Sequence, residues 1–115
     1  MKAAIVILSD PKNGGEEALG RAFNGLASAY DFQQRGIDSA IYFQGTGTRW
    51  PGVLADAQHP LHALFNAVQG SVAGVSCGCA DVFGAAEDAI KKKAASTWWS
   101  ITRCPAPRAC PAWAR

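Results

Sequence analysis

Cys77-Gly78-Cys79 is the segment whose residue types and spacing most directly suggest chemistry. It follows a short apolar run, Val72-Ala73-Gly74-Val75, and precedes a stretch of helical periodicity. A thiol at a helix N-terminus faces unpaired backbone N–H groups, which favour the thiolate, the nucleophilic form. Cys79 stands directly before the helical stretch and is better placed for this than Cys77. Asp81 works the other way, because a neighbouring carboxylate disfavours a second negative charge. The bland alternative is a tight loop of small residues. Cys77 and Cys79 with Cys104 and Cys110 would supply four thiolates, a set suited to zinc. Their spacing fits none of the usual zinc patterns, so neither a metal nor an organic cofactor is expected.

The other polar candidates carry less. Gly45-Thr46-Gly47-Thr48 could cradle an anion through backbone N–H groups. It lacks the Gly-Lys-Ser/Thr of a P-loop and the spacing of a dinucleotide fingerprint, so it reads first as a turn. His59 and His62 flank Pro60, and neither brings a paired carboxylate to make a Cys–His system with Cys79. His62 lies off the apolar stripe and is expected in solvent. Lys91, Lys92 and Lys93 with Trp98, Trp99 and Trp113 imitate a single-strand-binding surface. Those aromatics are clustered rather than spaced along a strand, so no nucleic-acid partner is expected.

Three strand-and-helix units position these residues. Residues 3–8 form a continuous apolar run closed by Ser9-Asp10-Pro11, the pattern of a strand buried on both faces. Helix-start signals follow at residues 13–17, and Leu19, Phe23, Leu26 and Tyr30 continue at helical spacing to Arg35. Gly36 suits the C-terminal cap, and Gly20 and Gly25 read as packing residues against a sheet. Residues 37–43 form the second strand, and the polar segment 45–51 reads as a loop. Pro60 suits a first helical position, with Leu61, Leu64, Phe65 and Val68 on one stripe and Gly70 as the cap. Residues 72–75 form a third strand and residues 80–93 a third helix, with Val82, Phe83, Ala86, Ala89 and Ile90 inward. Alternating strands and helices predict an α/β fold with a parallel sheet and helices on both faces. Ligands in such folds bind at the C-terminal ends of strands, here Ser9-Asp10, residues 45–48 and residues 77–79.

The whole chain has 115 residues, 4 Cys, 4 Trp, 12 Gly and a net charge of +2. That length fits one domain. The charge divides sharply. Residues 1–90 hold five basic residues against nine acidic ones, a net of −4; residues 91–115 hold six basic residues and no acid, a net of +6. Every glycine lies at or before Gly84. The chain thus reads as a domain over 1–93 joined to an irregular tail over 94–115. The first apolar run is too short for a signal core, and no stretch reaches the ~20 apolar residues that span a bilayer. A cytoplasmic location without a membrane partner is expected, where cysteines are mostly reduced.

Several segments carry a family resemblance. They are Ala4-Ile5-Val6-Ile7-Leu8-Ser9-Asp10, the helix beginning near Glu16, Gly45-Thr46-Gly47-Thr48-Arg49-Trp50, His59-Pro60-Leu61-His62-Ala63-Leu64-Phe65, and Gly74-Val75 through Cys79-Ala80 to Phe83-Gly84. Together they resemble the DsrE/DsrF-like family of sulfur-relay proteins, the TusD- and YchN-like group, over about residues 1–93. The resemblance implies a three-layer α/β/α fold and homo- or hetero-oligomeric assembly. It implies a sulfur donor and a thiol acceptor as partners, and a cysteine after a sheet strand that carries sulfur as a persulfide. That cysteine maps to Cys79. Ser9, Asp10, Gly45, Thr46 and Cys77 would line its pocket. A second family cysteine falls where this chain has Ser76. The alternatives are a non-catalytic oligomeric module that binds a small ligand or partner, and a non-functional truncated or frameshifted product.

The last alternative rests on the tail. The resemblance ends after Lys93, where the family continues with further strands and a segment containing Pro-Ser-Leu. Shifting the reading frame so that each codon takes its first base from the preceding one permits Val-Val at Trp98-Trp99-Ser100. It also permits Leu-Pro-Ser-Leu at Cys110-Pro111-Ala112-Trp113. Residues from about Lys93 onward therefore read as a frameshifted translation of a GC-rich gene, with the C-terminal strands missing. Resequencing the DNA for residues 91–96 is expected to reveal a slipped frame. An intact frame, with the tail present in purified protein by mass spectrometry, overturns that reading.

Overall fold

The structure, a computed structural model, describes residues 1–76 together with Cys79 and Val82. Strand β1 (Lys2–Ile7) leads through α1 (Gly15–Gln34) to β2 (Asp38–Phe43). A 3-10 turn (Gly45–Arg49) runs straight into α2 (Trp50–Leu54). Helix α3 (His62–Val68) and a second 3-10 turn (Gln69–Ser71) then lead into β3 (Val72–Val75). The strands form one parallel sheet in the order β1-β2-β3. Lys2 pairs with Asp38 and Ile7 with Phe43 in unbroken register. Ile41 pairs with Val72 but Tyr42 with Gly74, so Ala73 is an extra residue that bulges β3. The expected α/β class with a parallel sheet is the one observed.

The helices α1 and α3 share one face of this sheet. Ile5, Ile7, Ile41 and Phe43 project to the same side, because the register sets Ile5 beside Ile41 and Ile7 beside Phe43. Gly25 of α1 lies against Ile7 and Ile5. Phe65 of α3 meets Phe43 edge-on, with ring centroids 6.4 Å apart. Parallel strands that step in one direction, joined by crossovers of one hand, leave their connecting helices on the same side. Among the described residues there is accordingly one helical layer where helices on both faces were expected. The helix expected over residues 80–93 and the irregular tail expected over residues 94–115 lie outside the described residues, apart from Val82, which is helical.

This one-sidedness corrects the reading of β1 as buried on both faces. Its side chains alternate, and Val6 and Leu8 on the far side are 48% and 58% exposed. Helix α1 is also rotated from its expected orientation. Ala18, Ala22, Leu26 and Ala29 are buried, whereas Phe23 and Tyr30 are exposed and Leu19 is half-buried. The physical reason is close approach. A seam of alanines with Gly25 lets the helix backbone settle on the isoleucines, which a Phe23–Tyr30 face would hold away. Gly20 has nothing within 4 Å of where a Cβ would sit, so only Gly25 is a packing residue.

Helix α1 ends as its sequence predicts. Gly36 takes φ 69°, its N–H donates to the Gln33 carbonyl, and the Ile37 N–H donates to the Phe32 carbonyl. This is a Schellman stop, which needs a residue free of left-handed strain. Helix α3 begins two residues after Pro60, which lies in the preceding turn, and buries Leu61, Phe65 and Val68.

Two glycine substitutions separate close packing from helix propensity. Gly20→Ala is expected to stabilise the protein by about 0.5–1 kcal/mol, because the added methyl meets no atom and alanine favours helix. Gly47→Ala is expected to destabilise it by about 2–4 kcal/mol, because its Cβ would stand 2.1 Å from the Ile7 carbonyl oxygen. Urea unfolding of the two variants beside the parent chain measures both.

Candidate functional site

The segments that follow β1, β2 and β3 meet at the C-terminal edge of the sheet, where a ligand site was expected. The predicted loop 45–51 is instead helical, a 3-10 turn continuing into α2. Its glycines, threonines and proline are poor helix formers, which is why local sequence does not announce it. Tertiary bonds hold it. The Gln44 N–H donates to the Ile7 carbonyl at 3.1 Å, and Thr46 Oγ1 donates to the Leu8 carbonyl at 3.1 Å. Thr48 Oγ1 closes the turn on the Gly45 carbonyl at 2.9 Å.

The next two residues fasten this segment to the end of β1. Arg49 Nη1 lies 3.0 Å from both carboxylate oxygens of Asp10. Side-chain exposures of 24% for Arg49 and 17% for Asp10 mean that solvent screens this pair only in part. Trp50 is buried, and its indole N–H donates to the Ser9 carbonyl at 2.9 Å and to Ser9 Oγ at 3.1 Å. Ser9 Oγ in turn donates to the Ala18 carbonyl of α1 at 3.0 Å. Trp50, Ser9 and Ala18 thus form a relay from α2 across the β1 exit to α1.

Asp10 also accepts the Lys12 N–H at 2.9 Å and Asn13 Nδ2 at 3.0 Å. Burial acts to raise its pKa, but those two bonds and the Arg49 guanidinium outweigh burial and lower it from 3.8 to about 2. The predicted site residues Ser9, Asp10, Gly45 and Thr46 are therefore brought together. Their side-chain oxygens are engaged with backbone, with Trp50 and with Arg49.

Cys79 stands after β3 as a free, half-buried thiol. It has helical conformation itself, where the position just before a helix was expected. Its N–H donates to Ser76 Oγ at 3.4 Å, the relation of an N-cap to the third helical residue. The Ser76 N–H donates to the Phe43 carbonyl at 2.9 Å, which ties the cap to the end of β2. Cys77 lies outside the described residues. Among the described residues no cluster of three or more His, Cys, Asp or Glu side chains could hold a metal ion.

The histidines serve structure. His62, expected in solvent, is half-buried, with Nδ1 2.7 Å from the Leu54 carbonyl and Nε2 3.0 Å from Asn66 Nδ2. The carbonyl can only accept, so Nδ1 carries the proton. His59 Nδ1 accepts the Leu61 N–H at 3.1 Å, and its ring stands edge-on to Trp50. Sequence reasoning missed Arg49 and Trp50 as fasteners and Ser76 as a cap. The signals available were a serine three residues before Cys79 and a lone Arg-Trp pair in a Gly/Thr segment.

No described helix is long and apolar enough to cross a membrane. Comparison of the chain with known protein families, with curated proteins and with solved structures finds no match in any of the three.

The low pKa of Asp10 fixes a pH window. A carboxyl with a depressed folded pKa adds stability above its ordinary value of 3.8, and that stability is lost as pH falls toward about 2. Asp10→Asn is expected to melt below the parent chain at about pH 6, with the gap closing between about pH 4 and pH 2. A gap that stays constant to the acid limit contradicts this. Melting curves across that range measure it.

Proposed function

We propose that this chain carries sulfane sulfur on Cys79. The observation that supports the reading is the position of Cys79: a free, half-buried thiol after β3, at the strand ends where α/β folds take their ligands. The resemblance of residues 1–93 to DsrE-like sulfur-relay proteins points the same way.

In this reading the Cys79 thiolate attacks the outer sulfur of a donor persulfide, R–S–SH. The new bond joins Cys79 Sγ to that sulfur, the donor S–S bond breaks, and the electron pair leaves with R–S⁻. Cys79–S–SH results. An acceptor thiolate then attacks the same outer sulfur, which moves to the acceptor and regenerates the Cys79 thiolate. The two steps are mirror images, with no net oxidation. Ser9, Asp10, Gly45, Thr46 and Cys77 supply walls and hydrogen bonds to the surroundings and take no covalent part. The protein works in the cytoplasm as a homo- or hetero-oligomer, with a sulfur donor and a thiol acceptor as its partners.

Incubation with a persulfide donor, followed by digestion and mass spectrometry, is expected to add one sulfur atom to the peptide carrying Cys79. Cys79→Ser is expected to abolish that gain without changing the melting temperature. No gain on the parent chain overturns the proposal in favour of a module that only binds. An equal gain on Cys77 alone in the variant reassigns the carrier and overturns the role of Cys79.

A further inference from the structure

An open depression of about 360 Å³ lies on the helical side of the β1 exit, lined by Pro11, Glu16, Leu19, Trp50, Val53 and His59. Its volume falls at the lower end of the ~300–1,000 Å³ that small-molecule sites occupy. It shares no wall with Cys79, and nothing in the sulfur-carrier reading uses it.

The walls are apolar and firmly held. Trp50 is pinned through its indole N–H to Ser9 and braced edge-on by His59, with ring centroids 6.2 Å apart. His59 is itself fixed by accepting the Leu61 N–H. Leu19 and Val53 are half-buried and pack against the core. A pocket whose walls are already ordered loses little entropy when a ligand enters.

Charge decides what the pocket would take. Glu16 carries a carboxylate with no hydrogen bond or ion pair among the described residues. Its neighbours differ: Glu17 pairs with Arg21, and Asp10 pairs with Arg49. An anion arriving in the depression would meet like charge at Glu16, the first-turn acid of α1 that lines it. We propose that this depression binds a small organic ammonium ion with an apolar or aromatic body. The ammonium meets Glu16, and the body lies against Leu19 and Val53, the half-buried walls.

Two probes of one shape and opposite charge test this: 2-phenylethylammonium and 3-phenylpropionate, titrated into the ¹⁵N-labelled full chain. The ammonium is expected to shift the Gly15, Leu19 and Val53 amide resonances and the Trp50 indole resonance in a saturable way. The carboxylate is expected to leave them in place. Glu16→Gln is expected to weaken ammonium binding at least about fivefold. Glu17→Gln, whose carboxylate faces Arg21, is expected to leave it unchanged. No saturable shift with the ammonium, equal shifts with the carboxylate, or equal losses in both variants would overturn the proposal. The Cys79 reading stands or falls separately, by its own mass measurement.

Discussion

The segment leaving β2 crosses directly over the end of β1, and Gly47 is where the two backbones meet. A side chain there would collide with the Ile7 carbonyl oxygen. The close approach lets the Gln44 N–H and Thr46 Oγ1 reach the carbonyls of Ile7 and Leu8. It brings Arg49 and Trp50 over Asp10 and Ser9, and Trp50 then forms a wall of the depression beside α1. Without that crossing, a run of glycines and threonines would have no reason to be helical, since neither residue type favours a helix alone.

A second constraint is the hand of the crossovers. Both connections step the same way across the sheet, so α1 and α3 crowd onto one face and must share it. Alanines and Gly25 make that possible by bringing α1 close to the isoleucines. Larger residues, Phe23 and Tyr30, turn outward. The aromatic burial that α1 forgoes is supplied elsewhere, by Phe43 of β2, Trp50 of α2 and Phe65 of α3. The far face of β1 keeps Val6 and Leu8 exposed.

The polar groups at the strand ends divide into two kinds. Those of Ser9, Asp10, Thr46 and Thr48 are directed at the protein itself and hold the strand exits together. Among the described residues, Cys79 is a free, half-buried thiol after β3, and Glu16 in the first turn of α1 makes no hydrogen bond or ion pair.

Much of this was legible in the residues. The strands at 38–43 and 72–75, the span of α1, its Gly36 stop and the α/β class all follow from apolar runs, helical spacing and a glycine at a helix end. Those are local signals, and local physics is sufficient for them. The rotation of α1, the helical turn over 45–49, the cap at Ser76 and the bonded state of His62 were not legible. Each depends on an atom far away in sequence: the isoleucines beneath Gly25, the Ile7 carbonyl under Gly47, the Phe43 carbonyl behind Ser76, the Leu54 carbonyl beside His62. The sequence by itself determined the three strands, the two longer helices between them, and that Cys79 follows a strand. Only the tertiary structure decided which helix faces are buried and which polar side chains remain available. Spacing sets the period of an element, but its rotation and its hydrogen bonds are set by what packs against it.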